Sequence, residues 1–120
     1  MKCRIILELL AILFFTGCYN REQISRLDEA EALIQNKPDS ALTILQQLKS
    51  EGSQAEQARY ALLYSEALDK NHIKATNDSL IRRAWEYYKH HPKDLRRQCK
   101  TLYYWGKVKL RAGDKPGALR

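Results

Sequence analysis

Apolar residues recur at intervals of three and four along most of the chain, which is the period of one face of an α-helix. The first such stripe consists of Ile24, Leu27, Ala30, Leu33 and Ile34. The segment 36–39 interrupts it and leads into a second stripe, made of Ala41, Leu42, Leu45 and Leu48. Because the break between the two stripes is short, the pattern predicts a compact helical hairpin over residues 24–50.

Three further helices and the start of a sixth are predicted downstream, and local signals mark their ends. A serine with a glutamate three residues later caps the start of the third helix. A proline after two histidines ends the fourth, since proline disfavours helix in the residue before it. An Ala-Gly pair closes the fifth helix, over about 95–110, and an aspartate followed by a proline starts a sixth. The cap of the third helix is Ser53 with Glu56, and the end of the fourth is marked by His90-His91-Pro92. The end of the fifth is marked by Ala112-Gly113, and the start of the sixth by Asp114 with Pro116.

No segment shows the sustained alternation of apolar and polar residues that is typical of a strand. We therefore expect an all-α domain of antiparallel helical hairpins, over residues 24–50, 54–91 and 94–120. With 120 residues, 44% of them apolar and 29% charged, the chain corresponds to one globular domain at most.

The third hairpin carries the most specific motif. Trp105-Gly106 is followed twelve residues later by Ala118, which resembles the tetratricopeptide repeat (TPR), a helix–turn–helix unit of about 34 residues. The resemblance implies that small residues let the two helices of a hairpin approach closely, and that the hairpins stack as a right-handed α-solenoid. The packing residues that it implies are Ala41, Ser65, Leu102, Trp105, Gly106 and Ala118. Only about two turns follow Asp114, so we expect a truncated last hairpin and a fragment of a longer repeat protein.

The N-terminus has the features of an export signal. A short basic start precedes an apolar segment over residues 5–16, which is too short to cross a membrane as a helix. The motif Phe15-Thr16-Gly17-Cys18 resembles the lipobox of bacterial lipoproteins. It implies a signal peptide over 1–17, a diacylglyceryl group on Cys18, and a tether over 18–23. We expect an exported protein, lipid-anchored at a bacterial cell membrane or outer membrane. The alternatives are an ordinary cleaved signal peptide or a buried amphipathic helix.

Charge is distributed unevenly along the chain, whose net charge is +7. Residues 1–69 hold 7 Lys and Arg against 10 Asp and Glu, whereas residues 70–120 hold 14 against 4. A basic half of this kind indicates nucleic acid, an anionic membrane surface or an acidic partner. It is also typical of a solvated surface, which is the interpretation we favour, and export argues against nucleic acid.

The TPR resemblance implies a binding groove lined by the first helix of each hairpin. In the third hairpin the groove positions, which share one helical face, are Lys100, Tyr103, Lys107 and Arg111. The matching positions of the second hairpin are Arg59, Leu62, Glu66 and Lys70. A basic strip with a tyrosine is suited to an acidic peptide or a terminal carboxylate. The same cations would also serve simply to keep the surface soluble.

The sequence contains no motif for catalysis, for a cofactor or for a metal. It has no glycine-rich phosphate loop, no G-x-S-x-G and no H-E-x-x-H. The cysteines at positions 3, 18 and 99 form no C-x2-C pair. The aromatic residues between 85 and 105 are expected to pack between helices rather than to stack on a ligand. We therefore expect a protein that is not an enzyme and that needs no cofactor or metal.

These features together predict a non-catalytic TPR-like scaffold that binds a protein or peptide partner at a bacterial membrane. The first alternative is the N-terminal sensory or regulatory part of a larger membrane-linked signalling protein. The second is a basic helical nucleic-acid binder whose N-terminus is not an export signal. Localisation separates the scaffold from the nucleic-acid binder, and any sequence beyond residue 120 separates it from the signalling protein.

Overall fold

The computed structural model describes residues 21–75 and 77–111, which form helices joined by short connections. Residues 21–33 belong to α1, and the helices that follow are α2 (Pro38–Gln47), α3 (Gln54–Lys70), α4 (Ser79–Tyr88) and α5 (Leu95–Arg111). No strand occurs among the described residues, so the prediction of an all-α fold is confirmed for this part of the chain. The signal segment, Cys18 and the predicted sixth helix with Ala118 lie outside the described residues, as does the side chain of Arg111.

The first helix extends further toward the N-terminus than the apolar pattern predicted. Residues 21–23, assigned above to the tether, are helical, and Gln23 is only 5% exposed. Its Nε2 donates to the backbone carbonyl oxygens of Lys49 (3.1 Å) and Glu51 (2.9 Å). Burying an amide is favourable only when its hydrogen bonds are made, and these two carbonyls lie just beyond the end of α2. Gln23 therefore joins the start of α1 to the end of α2, which an apolar pattern cannot reveal.

Local side-chain signals set the starts of the other helices. Ser53 is the N-cap of α3, and its Oγ accepts from the Glu56 N–H at 3.2 Å, as predicted. Pro38 occupies the first turn of α2, where its missing N–H is not needed. Before α4, the Oδ1 of Asn77 accepts from the Ser79 N–H at 3.0 Å. These contacts satisfy backbone groups that a helix end leaves without partners.

Two hydrophobic cores share the central helix α3. The first is formed by Leu27 and Ala30 of α1, by Ile34 just after that helix, by Ala41, Leu42, Ile44 and Leu45 of α2, and by Tyr60, Leu63 and Ala67 of α3. The second is formed by Ala58, Ala61 and Leu62 of α3, by Ile81, Ala84 and Tyr88 of α4, and by Tyr104 and Val108 of α5. Helix α3 contacts α2, α4 and α5, and α5 also contacts α4. Since α3 contributes to both cores, it ties the two halves of the described chain together.

Candidate functional site

Ion pairs join α1, α3 and α5 along one side of the molecule. The guanidinium of Arg59 in α3 contacts the carboxylates of Asp28 (2.6 Å) and Glu31 in α1. Glu31 also pairs with Arg97 of α5, at 3.3 Å. One carboxylate of α1 therefore contacts cations from both α3 and α5, which places the same side of these three helices together.

Two further ion pairs connect α3 directly to α5. The Nζ of Lys100 lies 3.0 Å from Oε1 of Glu66, and the Nζ of Lys107 lies 2.9 Å from Oδ2 of Asp69. Glu66 is 1% exposed, and a buried carboxylate is stable only when it is paired and hydrogen-bonded. Gln35 supplies a further donor to Glu66, at 3.4 Å. Two of the predicted groove cations thus neutralise carboxylates within the chain itself.

The pKa shifts on this side favour the charged forms. Burial raises the pKa of Glu31, but the hydrogen bond and charge of Arg59, together with the charge of Arg97, outweigh burial and hold that pKa below its ordinary value. Hydrogen bonds to Asp69 and to Tyr103 raise the pKa of Lys107. Opposite charges at short distance produce shifts in these directions, so Glu31 and Lys107 are ionised at neutral pH.

Among the predicted groove residues whose side chains the structure describes, Tyr103 presents the most surface to solvent, at 57% exposure. The Nζ of Lys107 lies 4.9 Å from the centre of its ring, and the ring of Tyr104 meets it edge-on at 5.0 Å. These two contacts hold the ring in place while leaving much of it open. We name the side that carries Tyr103 and the inter-helix ion pairs the α1–α3–α5 face. It comprises Asp28, Glu31, Arg59, Glu66, Asp69, Arg97, Lys100, Tyr103 and Lys107.

Two other predicted groove positions contribute less to this face. Leu62 is buried in the second core, so it does not line a groove. Lys70 is half-buried and makes no ion pair within residues 21–75 and 77–111. The other predicted groove residues whose side chains are described lie on the α1–α3–α5 face. They are Arg59, Glu66, Lys100, Tyr103 and Lys107.

The predicted packing residues divide between core and surface. Ala41 is fully buried in the first core. Trp105 packs against the second core, and its Nε1 donates to Oδ2 of Asp78 at 3.1 Å. Ser65 is half-buried, and its Oγ donates to the Ala61 carbonyl at 2.8 Å. These three side chains contribute to packing between or within helices.

Leu102 and Gly106 are instead on the surface of α5. Leu102 is 49% exposed, and a Cβ built on Gly106 would have no neighbour within 4 Å. The close helix approach predicted at Gly106 is therefore not found among the described residues, and Ala118, its expected counterpart, lies outside them.

Sequence reasoning missed the acidic half of the α1–α3–α5 face. Asp28, Glu31 and Asp69 take part in four of its inter-helix contacts, yet none of them was singled out. A signal was present, because acidic residues of α1 and α3 stand at intervals of three, on the side that faces the cations of the next helix. The pairing of one helix with another is a tertiary feature, and an apolar pattern does not report it.

The many Lys and Arg residues that follow residue 81 are partly neutralised by ion pairs with acidic residues three or four positions away. Arg82 pairs with Asp78 at 2.8 Å, Lys89 with Glu86 at 2.9 Å, and Arg97 with Asp94 at 2.9 Å. Such pairs reduce the local charge that nucleic acid would meet. Within the described part of the chain, no cluster of three His, Cys, Asp or Glu residues could hold a metal ion.

Comparisons of the chain with protein-family models, with curated proteins and with solved structures find no match. Across residues 21–75 and 77–111, no helix has the length and apolar character needed to span a bilayer. The geometry of the α1–α3–α5 face therefore carries the functional argument.

Proposed function

We propose that this chain is a non-catalytic TPR-like scaffold, anchored to a bacterial membrane by lipid on Cys18, whose α1–α3–α5 face binds a partner peptide. The observation that carries the proposal is the side-by-side placement of alternate helices, joined by ion pairs from α1 to α3 and from α3 to α5. In a stack of hairpins the first helices form one side and the second helices form the other.

The helix contacts support the stacked arrangement. Helix α3 contacts the helix before it, its own hairpin partner α4, and α5 of the next unit. In a solenoid each repeat packs against its neighbours, and the contacts of α3 have that pattern, although Glu31 of α1 also reaches Arg97 of α5. The lipobox resemblance at residues 15–18 supports the membrane anchor.

The chemistry of the face indicates what the peptide should contain. Lys100 and Lys107 are already paired, so each can offer a ligand only the ammonium donors that its carboxylate leaves free. The open ring of Tyr103 offers apolar contact area and a hydroxyl at little entropic cost. We therefore expect recognition to combine contact on the Tyr103 ring with one carboxylate, rather than attraction to a large net positive charge.

The intact mass of the protein extracted from a membrane fraction tests the anchor. We expect the mass of a chain that begins at Cys18 and carries acyl chains. In Cys18→Ser, we expect neither cleavage of the signal segment nor attachment of lipid. Cys3→Ser is the matched control, because it changes a cysteine inside the predicted signal segment and should leave lipidation intact. An unprocessed, unlipidated wild-type chain would contradict the anchor and restore the nucleic-acid alternative.

Photo-crosslinking in the cells that make the protein tests the binding face. A benzophenone amino acid in place of Tyr103 should yield a protein adduct that the same amino acid in place of Ile73 does not. Ile73 is a suitable control because it is 44% exposed and lies in the connection between α3 and α4. Charge reversal at Lys100 is a poorer test, since it would bring two carboxylates together at buried Glu66. The absence of any adduct from position 103, or identical adducts from both positions, would contradict binding at this face.

A further inference from the structure

Helix α5 has a second apolar side that faces solvent. Leu95, Leu102 and Leu110 are 62%, 49% and 37% exposed, and Cys99 and Gly106 are exposed between them. These five residues follow one another at intervals of four, three, four and four, so they lie on one side of the helix. We name them the α5 arc. The buried residues of α5 lie on the opposite side, at Thr101, Tyr104 and Val108.

The shape of the α5 arc suits a helix. Leu95 and Leu110 are separated by about 22 Å along the helix axis, which corresponds to about four turns of a partner helix. Apolar residues at intervals of three and four form the contact seam of paired helices. Gly106 leaves a gap in this seam, where a large apolar side chain of the partner can pack.

Cations border the α5 arc on both sides. Viewed down the helix axis, Lys109 lies next to Leu102 at one edge of the arc. At the other edge, Tyr103 lies next to Leu110, and Arg96 lies beyond Tyr103. Neither Arg96 nor Lys109 makes an ion pair within the described residues, although Lys109 lies 5.1 Å from the centre of the Trp105 ring. Residues 89–111 contain eight Lys and Arg and a single Asp, and α5 itself contains no acidic residue.

The ion pairs between the helices show which charged groups α5 lacks on its free side. Helix α1 provides carboxylates to the cations of α3 and α5, and α3 provides carboxylates to the lysines of α5. In each junction the preceding helix is acidic and the following helix is basic. Because α5 has no carboxylate to offer, an element that packs on its free side must bring the carboxylates itself.

A second copy of this chain is disfavoured as the occupant by the same charges. A second copy docked through the α5 arc would bring Arg96 and Lys109 against identical cations, and like charges in contact oppose association.

From the exposed apolar seam and its cationic borders, we propose that the α5 arc docks an acidic amphipathic helix of a partner protein. The apolar side of that helix covers the leucines, and its flanking Asp or Glu residues pair with Arg96 and Lys109. This surface borders the α1–α3–α5 face along Tyr103, but docking here requires neither peptide binding there nor lipidation of Cys18.

Binding of synthetic helices to the 120-residue chain with Cys18→Ser tests the proposal. The first probe is a fluorescent, hydrocarbon-stapled peptide of about 18 residues with leucines at intervals of three and four and glutamates on both flanks. Stapling is used because short free helices are marginal in water. The second probe is identical except that lysines replace the glutamates. Fluorescence anisotropy should show saturable binding of the acidic peptide, and binding of the lysine peptide at least tenfold weaker.

Matched variants separate docking on the arc from general attraction to a basic protein. Leu102→Asp should weaken binding of the acidic peptide at least tenfold, whereas Ile73→Asp, which adds the same charge at another exposed apolar residue, should leave it unchanged. Arg96→Glu combined with Lys109→Glu should reverse the preference in favour of the lysine peptide. Circular dichroism should show all three variants as helical as the parent, because the changed side chains are exposed.

Several results would overturn the proposal. Equal affinity for the two peptides, no saturable binding of the acidic peptide, or equal effects of Leu102→Asp and Ile73→Asp would show that the arc does not recognise an acidic helix. Sedimentation of a dimer that Leu102→Asp disrupts would identify a second copy as the occupant. Binding to vesicles with anionic phosphatidylglycerol that Leu102→Asp reduces and Ile73→Asp does not, without peptide binding, would identify a lipid surface instead.

Discussion

Glu31 contacts guanidinium groups from two other helices, so its charge is part of the fold. Arg59 and Arg97 both reach it, and removing the carboxylate would leave two partly buried cations with fewer partners. An exposed ion pair contributes little to stability, whereas breaking a buried one is costly. Glu31 is only partly shielded from solvent, so its contribution should lie between these limits.

The pKa of Glu31 gives this contribution a defined pH dependence. Its folded pKa lies below the value of 4.5 expected in the unfolded chain, so the stability it provides is present above that value and is lost as the pH falls through the folded pKa. We expect Glu31→Gln to lower the free energy of unfolding by about 1 kcal/mol at neutral pH. The deficit should shrink as the pH falls from 4.5 through the folded pKa of Glu31, below which both side chains are neutral. Urea unfolding at a series of pH values measures it.

Glu29→Gln is the control for this prediction, because Glu29 is exposed on the same helix and pairs only with Arg26 three residues away. An exposed pair of this kind is worth little, so the variant should differ little from wild type at any pH. A deficit in Glu31→Gln that stayed constant from neutral to acidic pH would assign the effect to packing rather than to charge.

At the scale of the element, the start of α3 depends on one side-chain hydrogen bond. The Oγ of Ser53 accepts from the Glu56 N–H, and loss of an N-cap of this kind costs about 1 kcal/mol. We expect Ser53→Ala to lower the free energy of unfolding by that amount in urea denaturation. Ser25→Ala, at an exposed helical position of α1, should change it by less than about 0.5 kcal/mol. Equal effects of the two substitutions would mean that the cap does not stabilise the fold.

The helices could be predicted from the sequence because their signals are local. The apolar stripe of α2, the cap at Ser53 and the helix end before Pro92 each depend on residues within a few positions. The start of α1 could not be predicted, because Gln23 reaches carbonyls 26 and 28 residues away. The exposure of Leu102 could not be predicted either, because its spacing fits an apolar stripe that faces the core as well as one that faces solvent.

The candidate face was predicted only in part, for a related reason. The cations Lys100 and Lys107 were placed correctly on one side of α5 by helical spacing. Spacing does not reveal that Glu66 and Asp69 already pair with them, which changes the expected ligand from a strongly acidic peptide to one that uses the Tyr103 ring.

At the scale of the whole molecule, the sharing of α3 between two cores determines how the chain unfolds. Leu45 lies in the first core. Of the two tryptophans of the chain, Trp105 packs against the second core, and the ring centre of Trp85 lies 6.2 Å from that of Trp105. If one core unfolded, α3 would lose part of its buried surface, and the other core would lose the helix on which it packs. We therefore expect a single cooperative transition over the described residues.

Leu45→Ala tests this coupling, because it removes fully buried atoms from the first core only. A cavity of this kind typically costs about 3 kcal/mol. In urea unfolding, the midpoint followed by tryptophan fluorescence should fall together with the midpoint followed by circular dichroism, although Trp105 packs against the other core. Ile24→Ala, which shortens an exposed side chain of α1, should leave both midpoints almost unchanged. A tryptophan midpoint that stayed at the wild-type value in Leu45→Ala would show that the two cores unfold independently and that α3 does not couple them.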